Sequence, residues 1–288
     1  MTNVERYLVP RSIGEAAEGL RNGNVTILAG GTDLMPQSKA GKTEFRANLM
    51  NIRHVEGLRG VKRTTSGFQI GALTTITDLR DSLEIKVGLP ALWQASDHFA
   101  SDQIRNAATI GGNLSNASPA GDTLVPLLVF DARVVLASKP NGALQMRSIP
   151  VAEFVVGPGK TSRKPDELLT AVEIDAPPSG FISRFFKFGT RPALDISTIS
   201  IGLGGVSDGK RLRNARVAIG AVAPTPIRAP QVEEALEGKL LDSATIAAAA
   251  AAAGRDIRPI SDLRASDWYR RELVHNMLER MLSDVGHG

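Results

Sequence analysis

The segment from Thr109 to Asp122 contains the residue types best suited to binding a ligand. Two adjacent glycines, Gly111 and Gly112, are followed by small polar side chains and a carboxylate. Adjacent glycines can adopt positive φ and let another group approach the backbone closely. A row of free N–H groups in such a turn forms a concave anion site. Local chemistry alone leaves two interpretations open, an anion-binding loop or a tight turn between a strand and a helix.

A second stretch of the same design lies earlier in the chain. The apolar run Val25–Leu28 leads into Gly30 and Gly31, and Thr32 and Asp33 follow. Two glycine turns can hold two phosphates, or one pyrophosphate from opposite sides. Neither turn has the G-x-G-x-x-G spacing of a Rossmann dinucleotide site. The pattern therefore indicates a phosphate ligand in a different fold.

These segments resemble the FAD-binding subunit of the molybdenum hydroxylases, the family of the flavin subunits of xanthine dehydrogenase and aerobic carbon monoxide dehydrogenase. The resemblance rests on Ala29–Leu34 and on Gln103–Asn106 running into Thr109–Asn113, and it extends over nearly the whole chain. The supporting stretches are Ile70–Ala72, Asp166–Leu169, Arg184–Arg191, Gly220–Ala221 and Ser266–Arg271. Two long motifs in the right order make the match specific.

The chain is predicted to be α+β. We expect a two-part α/β FAD-binding domain over 1–175, with subdomains of about 1–55 and 56–175. A smaller C-terminal domain, 176–288, should hold a three-stranded antiparallel sheet and helices. The boundary is placed at Ala176–Gly180 because its two prolines exclude a helix or an interior strand.

Composition excludes several classes of function. The formal net charge is +4, and the basic residues are scattered, so no nucleic-acid or membrane surface is indicated. The chain has no cysteine, which excludes disulfides, thiolate catalysis and a cysteine-ligated iron–sulfur cluster within it. No signal-like or membrane-spanning run occurs, and a cytoplasmic location is expected.

The resemblance assigns the FAD contacts residue by residue. The two glycine turns would supply N–H donors to the pyrophosphate, with Thr32 and Asn113 adding side chains. The Asp33 carboxylate should face away from the phosphates, as a helix cap, because its charge opposes theirs. The full set of predicted cofactor-binding residues is Ile27, Leu28, Ala29, Gly30, Gly31, Thr32, Asp33, Leu34, Phe99, Thr109, Ile110, Gly111, Gly112, Asn113, Asn116, Asp122, Leu169 and Lys187.

The two ends of the cofactor need different chemistry. By resemblance Phe99 contacts the adenine, although its spacing fits a core residue of an amphipathic helix equally well. Asp122, Leu169 and Lys187 would meet the isoalloxazine ring, with Lys187 as a cation near the N1–C2 edge. The alternative for Lys187 is a solvated side chain on an edge strand. Ile196 stands where carbon monoxide dehydrogenase carries a tyrosine, which leaves the covering of the ring open.

Other patterns are weaker. Gly157–Thr161 resembles the end of a P-loop, but the first glycine of that motif is replaced by Phe154, and Pro158 lacks an N–H. The four histidines have no metal-ligand spacing. We predict no catalytic residue and no metal ligand in this chain.

The resemblance implies an electron-transfer subunit. A large partner would carry the molybdenum cofactor and a small partner the [2Fe-2S] clusters, in a heterotrimer or its dimer. FAD on this chain would pass electrons to an external acceptor. Two alternatives stay open: a cofactor-free scaffold of the same fold, and a free-standing flavin oxidoreductase. The sequence names neither the substrate nor the acceptor, for which NAD, a quinone, a cytochrome and oxygen all remain.

Overall fold

The computed structural model describes residues 4–191 and 195–286. The first unit is a small parallel sheet with two helices, in the strand order β1-β3-β2. Its first helix begins after Ser12, whose hydroxyl accepts the Glu15 N–H. The elements are β1 Arg6–Leu8, α1 Ile13–Leu20, β2 Val25–Leu28, α2 Leu34–Lys39 and β3 Asn48–Asn51.

The second unit is built on a five-stranded antiparallel sheet of order β4-β5-β10-β6-β7. Helices between β5 and β6 cover one face and enclose the main hydrophobic core. The elements are β4 Val61–Arg63, β5 Gly67–Gly71, α3 Ile76–Asp81, α4 Leu83–Gly88, α5 Pro90–Asp97, α6 Asp102–Arg105, α7 Ile110–Asn116, α8 Leu124–Val129, β6 Arg133–Ser138, β7 Gln145–Pro150, α9 Val151–Phe154, β8 Val155–Gly157, β9 Lys160–Thr161 and β10 Leu168–Asp175.

The C-terminal unit is an antiparallel sheet backed by three helices around a second core. The three predicted strands are present, and a two-residue strand, β14, adds a fourth to the order β11-β12-β13-β14. The elements are β11 Phe181–Phe188, β12 Ile199–Ser207, β13 Leu212–Gly220, β14 Ile227–Arg228, α10 Pro230–Leu236, α11 Ser243–Asp256 and α12 Asp267–Gly286. The predicted α+β class is confirmed, and residues 176–180, the predicted boundary, connect β10 to β11.

Small residues on β12 and β13 let α8 pack closely against the C-terminal sheet. A Cβ at Gly204 would lie 2.6 Å from a methyl of Val129, and one at Gly202 would lie 2.8 Å from another methyl of the same valine. Gly220 meets Val125 in the same way, at 2.9 Å. Any larger side chain there would push α8 away. This contact holds the C-terminal sheet beside the loop that leads into α8.

Candidate functional site

The first glycine turn joins β2 to α2 and exposes a row of backbone donors. Gly31 has φ +74°, which glycine adopts without strain. Among the described residues, no acceptor contacts the N–H groups of the four residues from Gly30 to Asp33. The turn therefore has the N–H donors that an anion site requires.

Arg53 holds this turn from behind. Its guanidinium donates to the carbonyl oxygens of Ala29 and Gly30, each at 2.7 Å. The C=O and N–H of a trans peptide point in opposite directions. The N–H groups of Gly30 and Gly31 therefore point away from Arg53, toward the side on which both glycines line a cavity.

The second glycine turn is the first turn of helix α7, and here the predicted row of free N–H groups is wrong. Thr109 is the N-cap, and its hydroxyl accepts the Gly112 N–H at 3.0 Å. The Ile110 N–H bonds the Thr74 carbonyl, and the Gly111 N–H bonds the Ala72 carbonyl. Gly111 is needed for close approach, because a Cβ there would lie 2.7 Å from Ala72.

Helix α7 offers side chains to the cavity instead. Asn113, Ser115 and Asn116 all line it. The Thr123 hydroxyl donates to Asn113 Oδ1 at 2.7 Å, which leaves the amide NH₂ of Asn113 as a donor. The two glycine turns therefore differ in chemistry: one presents backbone N–H groups and the other polar side chains.

The first glycine turn is in direct contact with the segment that leads into the second. A Cβ at Gly30 would lie 2.0 Å from the carbonyl oxygen of Ala107 and 3.2 Å from Cα of Ala108. Ala108 and Thr109 line the same cavity as the first turn. The two segments therefore line one cavity side by side.

Asp33 has its carboxylate turned toward its own helix. It occupies the N-cap position of α2, but its side chain makes no capping bond. Instead its Oδ2 accepts from the Gln37 amide. The expectation that this carboxylate would cap a helix is therefore wrong. It accepts a hydrogen bond from the Gln37 side chain, one helical turn later, and not from a backbone N–H of the first turn.

One cavity of about 770 Å³ connects these groups, which is within the range of cofactor sites. Of the predicted cofactor-binding residues, all but Leu28, Ile110 and Lys187 line it. Ile110 is fully buried in the core. That the lining residues contact FAD stays a prediction.

The predicted adenine end is built on a short loop after α5. Phe99 is half-buried, packs against the main core and also lines the cavity, so both interpretations of this residue stay open. Arg105 fixes the loop by donating to the carbonyl oxygens of Phe99 and Ala100. Ala100 has φ +39°, a strained value for alanine.

Next to the Phe99 loop, a buried charge pair joins the second unit to the C-terminal unit, and Lys187 Nζ also donates to the His98 carbonyl at 3.3 Å. Asp122 lines the cavity, and its Oδ2 accepts from Lys187 Nζ at 2.6 Å. Lys187 does not itself line the cavity, and its side chain is 9% exposed. The alternative of a solvated lysine is therefore wrong, although β11 is an edge strand. The contact of Lys187 with the flavin stays a prediction.

A third residue completes this pair. The Ser197 hydroxyl donates to Asp122 Oδ1 at 2.6 Å. Burial raises the pKa of the Asp122 carboxyl above its usual value, and the charge and hydrogen bond of Lys187 and the Ser197 hydroxyl oppose that rise. Beside them, Ile196 is half exposed at the cavity rim.

The motif Ser266–Arg271 lies away from the cavity and supports it. Arg270 is buried; its Nη1 donates to the Ala221 carbonyl at 2.6 Å, and its Nη2 donates to both carboxylate oxygens of Asp262 at 2.8 Å. The Ala221 N–H in turn bonds the Pro119 carbonyl at 2.8 Å. Pro119 belongs to the loop between α7 and Asp122, so the C-terminal unit fixes that loop.

Several contributing residues were missed by sequence reasoning. Arg53, Arg105 and Ser197 act through other residues and carry no motif of their own. Arg163 and Arg46 also line the cavity. Basic side chains scattered through a chain give no signal of which ones fold onto one site.

The weaker patterns have structural explanations. Gly157–Thr161 forms the β8–β9 hairpin and not a strand leading into a helix, so it is not a P-loop. Among the described residues, no three His, Asp or Glu side chains are placed to bind a metal. Within 4–191 and 195–286, every helix is too short or too polar to cross a bilayer.

The α+β fold and the cavity between two glycine turns define a protein that binds an extended, phosphate-containing cofactor. Residues 2–177 match the family model described as FAD binding domain in molybdopterin dehydrogenase. Residues 184–285 match that of the CO dehydrogenase flavoprotein C-terminal domain. The chain belongs to this family, as the glycine motifs predicted, and is a flavoprotein subunit of an oxidoreductase.

Relatives align over almost the whole chain. The xanthine dehydrogenase FAD-binding subunit of Escherichia coli O157:H7 is 34% identical over 266 residues, 92% of this chain and 89% of the relative. The carbon monoxide dehydrogenase medium chain of Hydrogenophaga pseudoflava is 30% identical over 279 residues, 96% of this chain and 95% of the relative.

Solved structures show the same fold. A carbon monoxide dehydrogenase from Hydrogenophaga pseudoflava, which lacks the Mo-pyranopterin moiety of its cofactor, superposes with a TM-score of 0.90 at 30% identity, over 97% of this chain and 96% of that chain. Quinoline 2-oxidoreductase from Pseudomonas putida 86 gives 0.91 at 26% identity, over 99% and 98%.

Proposed function

We propose that this chain is the electron-transfer subunit of a molybdenum hydroxylase complex. It would take electrons from [2Fe-2S] clusters on a small partner, while a large partner with the molybdenum cofactor oxidises the substrate. The absence of cysteine from the sequence supports this division, since a protein-bound cluster needs thiolate ligands from elsewhere. A heterotrimer or its dimer, in the cytoplasm, fits this proposal.

The observation that carries the proposal is that both glycine turns line one cavity, where the first turn contacts the segment leading into the second. The unpaired N–H groups from Gly30 to Asp33 would hold the pyrophosphate, and the amides of Asn113 and Asn116 would add side-chain donors. Gly30 lies against the Ala107 carbonyl, where a Cβ would be only 2.0 Å from the oxygen, so the glycine lets the first turn approach the segment before α7. Backbone N–H groups and side-chain amides are donors of the type that would bind the diphosphate of FAD.

When bound, FAD supplies the ability to exchange one electron with a cluster and two with an acceptor. This chain's own residues would bind and orient it. Phe99 offers a flat apolar surface, and Leu169, buried on β10, offers an apolar wall. Asp122 places a carboxylate paired with Lys187 beside the cavity.

The test is to express the chain with its neighbouring genes and purify the complex. We expect FAD in the supernatant after denaturation, and flavin bleaching when the substrate of the complex is added. A complex that turns over without flavin would support the cofactor-free scaffold and contradict the proposal. Turnover by the isolated chain would instead identify a free-standing flavin oxidoreductase.

The glycine turns can be tested separately by replacing Gly111 and Gly112 with valine. We expect assembly to survive while flavin and turnover are lost. Because Gly111 packs on Ala72, thermal unfolding of the variant must be measured beside its FAD content. Unchanged turnover in a folded variant would contradict a cofactor role for this turn.

A further inference from the structure

Ser197 is a buried residue that reaches the cavity only through Asp122. Its side chain does not line the cavity, and the residue is 1% exposed. Its hydroxyl donates to Asp122 Oδ1 at 2.6 Å, the length of a strong hydrogen bond to a carboxylate. The serine therefore contacts the group that faces the ligand, but not the ligand space.

The two oxygens of Asp122 are held by two different donors. Lys187 Nζ binds Oδ2 at 2.6 Å, and Ser197 binds Oδ1. Both donors come from the C-terminal unit, whereas Asp122 belongs to the loop before α8. Two bonds to opposite oxygens fix the rotation of a carboxylate, which one bond would leave free.

Neighbouring hydroxyls show that such a bond is not automatic at this place. Thr198 and Ser200 are as deeply buried as Ser197. Within the described part of the chain their hydroxyl oxygens have no hydrogen-bond partner. Buried hydroxyl groups in this segment therefore do not all form hydrogen bonds. The Ser197–Asp122 bond forms because the fold places the serine hydroxyl beside the carboxylate.

We propose that Ser197 is a positioning residue of the cofactor site, which orients the Asp122 carboxylate at the cavity wall. A side chain outside the cavity thereby controls how this carboxylate is presented to a bound flavin. The proposal rests on the proposed function, because it takes the cavity to be the FAD site.

The physical consequence is a change in proton affinity. Burial raises the pKa of the Asp122 carboxyl, and the Ser197 hydroxyl is one of the groups that oppose that rise. The other charged or titratable groups that act on Asp122 are Lys187, which pairs with it, and His98. Removal of the Ser197 donor raises the pKa of Asp122 further.

The experiment is a pH titration of the visible spectrum of the flavin-loaded complex. Ser197→Ala should move the spectral midpoint to higher pH and weaken FAD binding about tenfold at neutral pH. Ser197→Thr keeps the hydroxyl and should restore the wild-type titration. In the Asp122→Asn background, Ser197→Ala should have no further effect, since the group it acts on no longer titrates.

The matched control is Thr198→Val, which removes an adjacent buried hydroxyl that has no partner among the described residues. It should leave the titration unchanged. A Ser197→Ala titration that superposes on wild type, that shifts equally in the Asp122→Asn background, or that Thr198→Val reproduces would overturn the proposal. If the wild-type complex holds no FAD, the proposed function itself fails, and that outcome is distinct from loss of the Ser197 effect alone.

Discussion

Gly30 lies against the backbone of Ala107 so closely that a Cβ on the glycine would be 2.0 Å from the alanine carbonyl oxygen. This contact joins the turn after β2 to the segment before α7. It brings two distant parts of the chain to one cavity. The glycine is required by the neighbouring backbone, which cannot rotate away as a side chain can.

Gly30→Ala should separate the two turns. We expect FAD affinity to fall at least tenfold and the free energy of unfolding to drop by about 1–3 kcal/mol, the usual range for overpacking. FAD content after gel filtration and urea unfolding measure the two effects. The control is Gly254→Ala on helix α11, where an added Cβ meets no atom within 4 Å. That variant should keep its FAD and gain slightly in stability.

Arg53→Met should weaken FAD binding about tenfold, because the carbonyls of Ala29 and Gly30 would lose the donors that orient the turn. Arg53→Lys should recover only part of the affinity, since lysine lacks the planar fork. Isothermal titration of the flavin-free protein with FAD measures both. The control, Arg213→Met, removes an equal charge at an exposed position on β13. An equal loss of FAD affinity in that variant would show that net charge, and not the orientation of the turn, causes the effect.

Phe99→Ala distinguishes an adenine contact from a core role. If the ring contacts adenine, the variant should lose affinity for FAD by about tenfold or more and little affinity for FMN, which has no adenine. Competition binding of the two flavins gives the ratio. Equal losses for both would show that Phe99 acts as a core residue.

Gly204→Ala should disturb the contact between α8 and the C-terminal sheet. Its Cβ would meet a Val129 methyl at 2.6 Å, and we expect a loss of about 1–3 kcal/mol in unfolding free energy. Lys187 and Ser197 would then shift away from Asp122, and FAD binding should weaken as well. The double variant with Val129→Ala should be less unstable than the sum of the single changes. Strict additivity would contradict direct contact.

Glu167 should make stability depend on acidic pH. Burial would raise the pKa of this carboxyl, but the Arg147 guanidinium and the Lys164 N–H lower it below its usual value. Its stabilising contribution is therefore present above the unfolded-state pKa of about 4.3, and it is lost as pH falls through the lower folded-state value. Glu167→Gln should lower the melting temperature at pH 7 and flatten its decline below pH 4. Exposed Glu272→Gln should change neither.

Local sequence determined much of this protein. The apolar run of β2 was predictable because it depends on neighbours a few residues away. The two glycine pairs could be identified from local sequence as well, because adjacent glycines allow a close backbone approach. The order of the two motifs along the chain matched one family. Phe99, Asp122 and Leu169 were found by that match and not by their own chemistry.

Only the tertiary structure decided what the glycines do. Gly31 adopts a positive φ, whereas Gly111 is helical and makes room for Ala72. Identical residue pairs thus serve different needs, and the difference depends on which backbone packs against them. The roles of Arg53 and Ser197 were equally hidden. Each acts through hydrogen bonds to residues from another part of the chain, and such contacts exist only after the sheets and helices have packed.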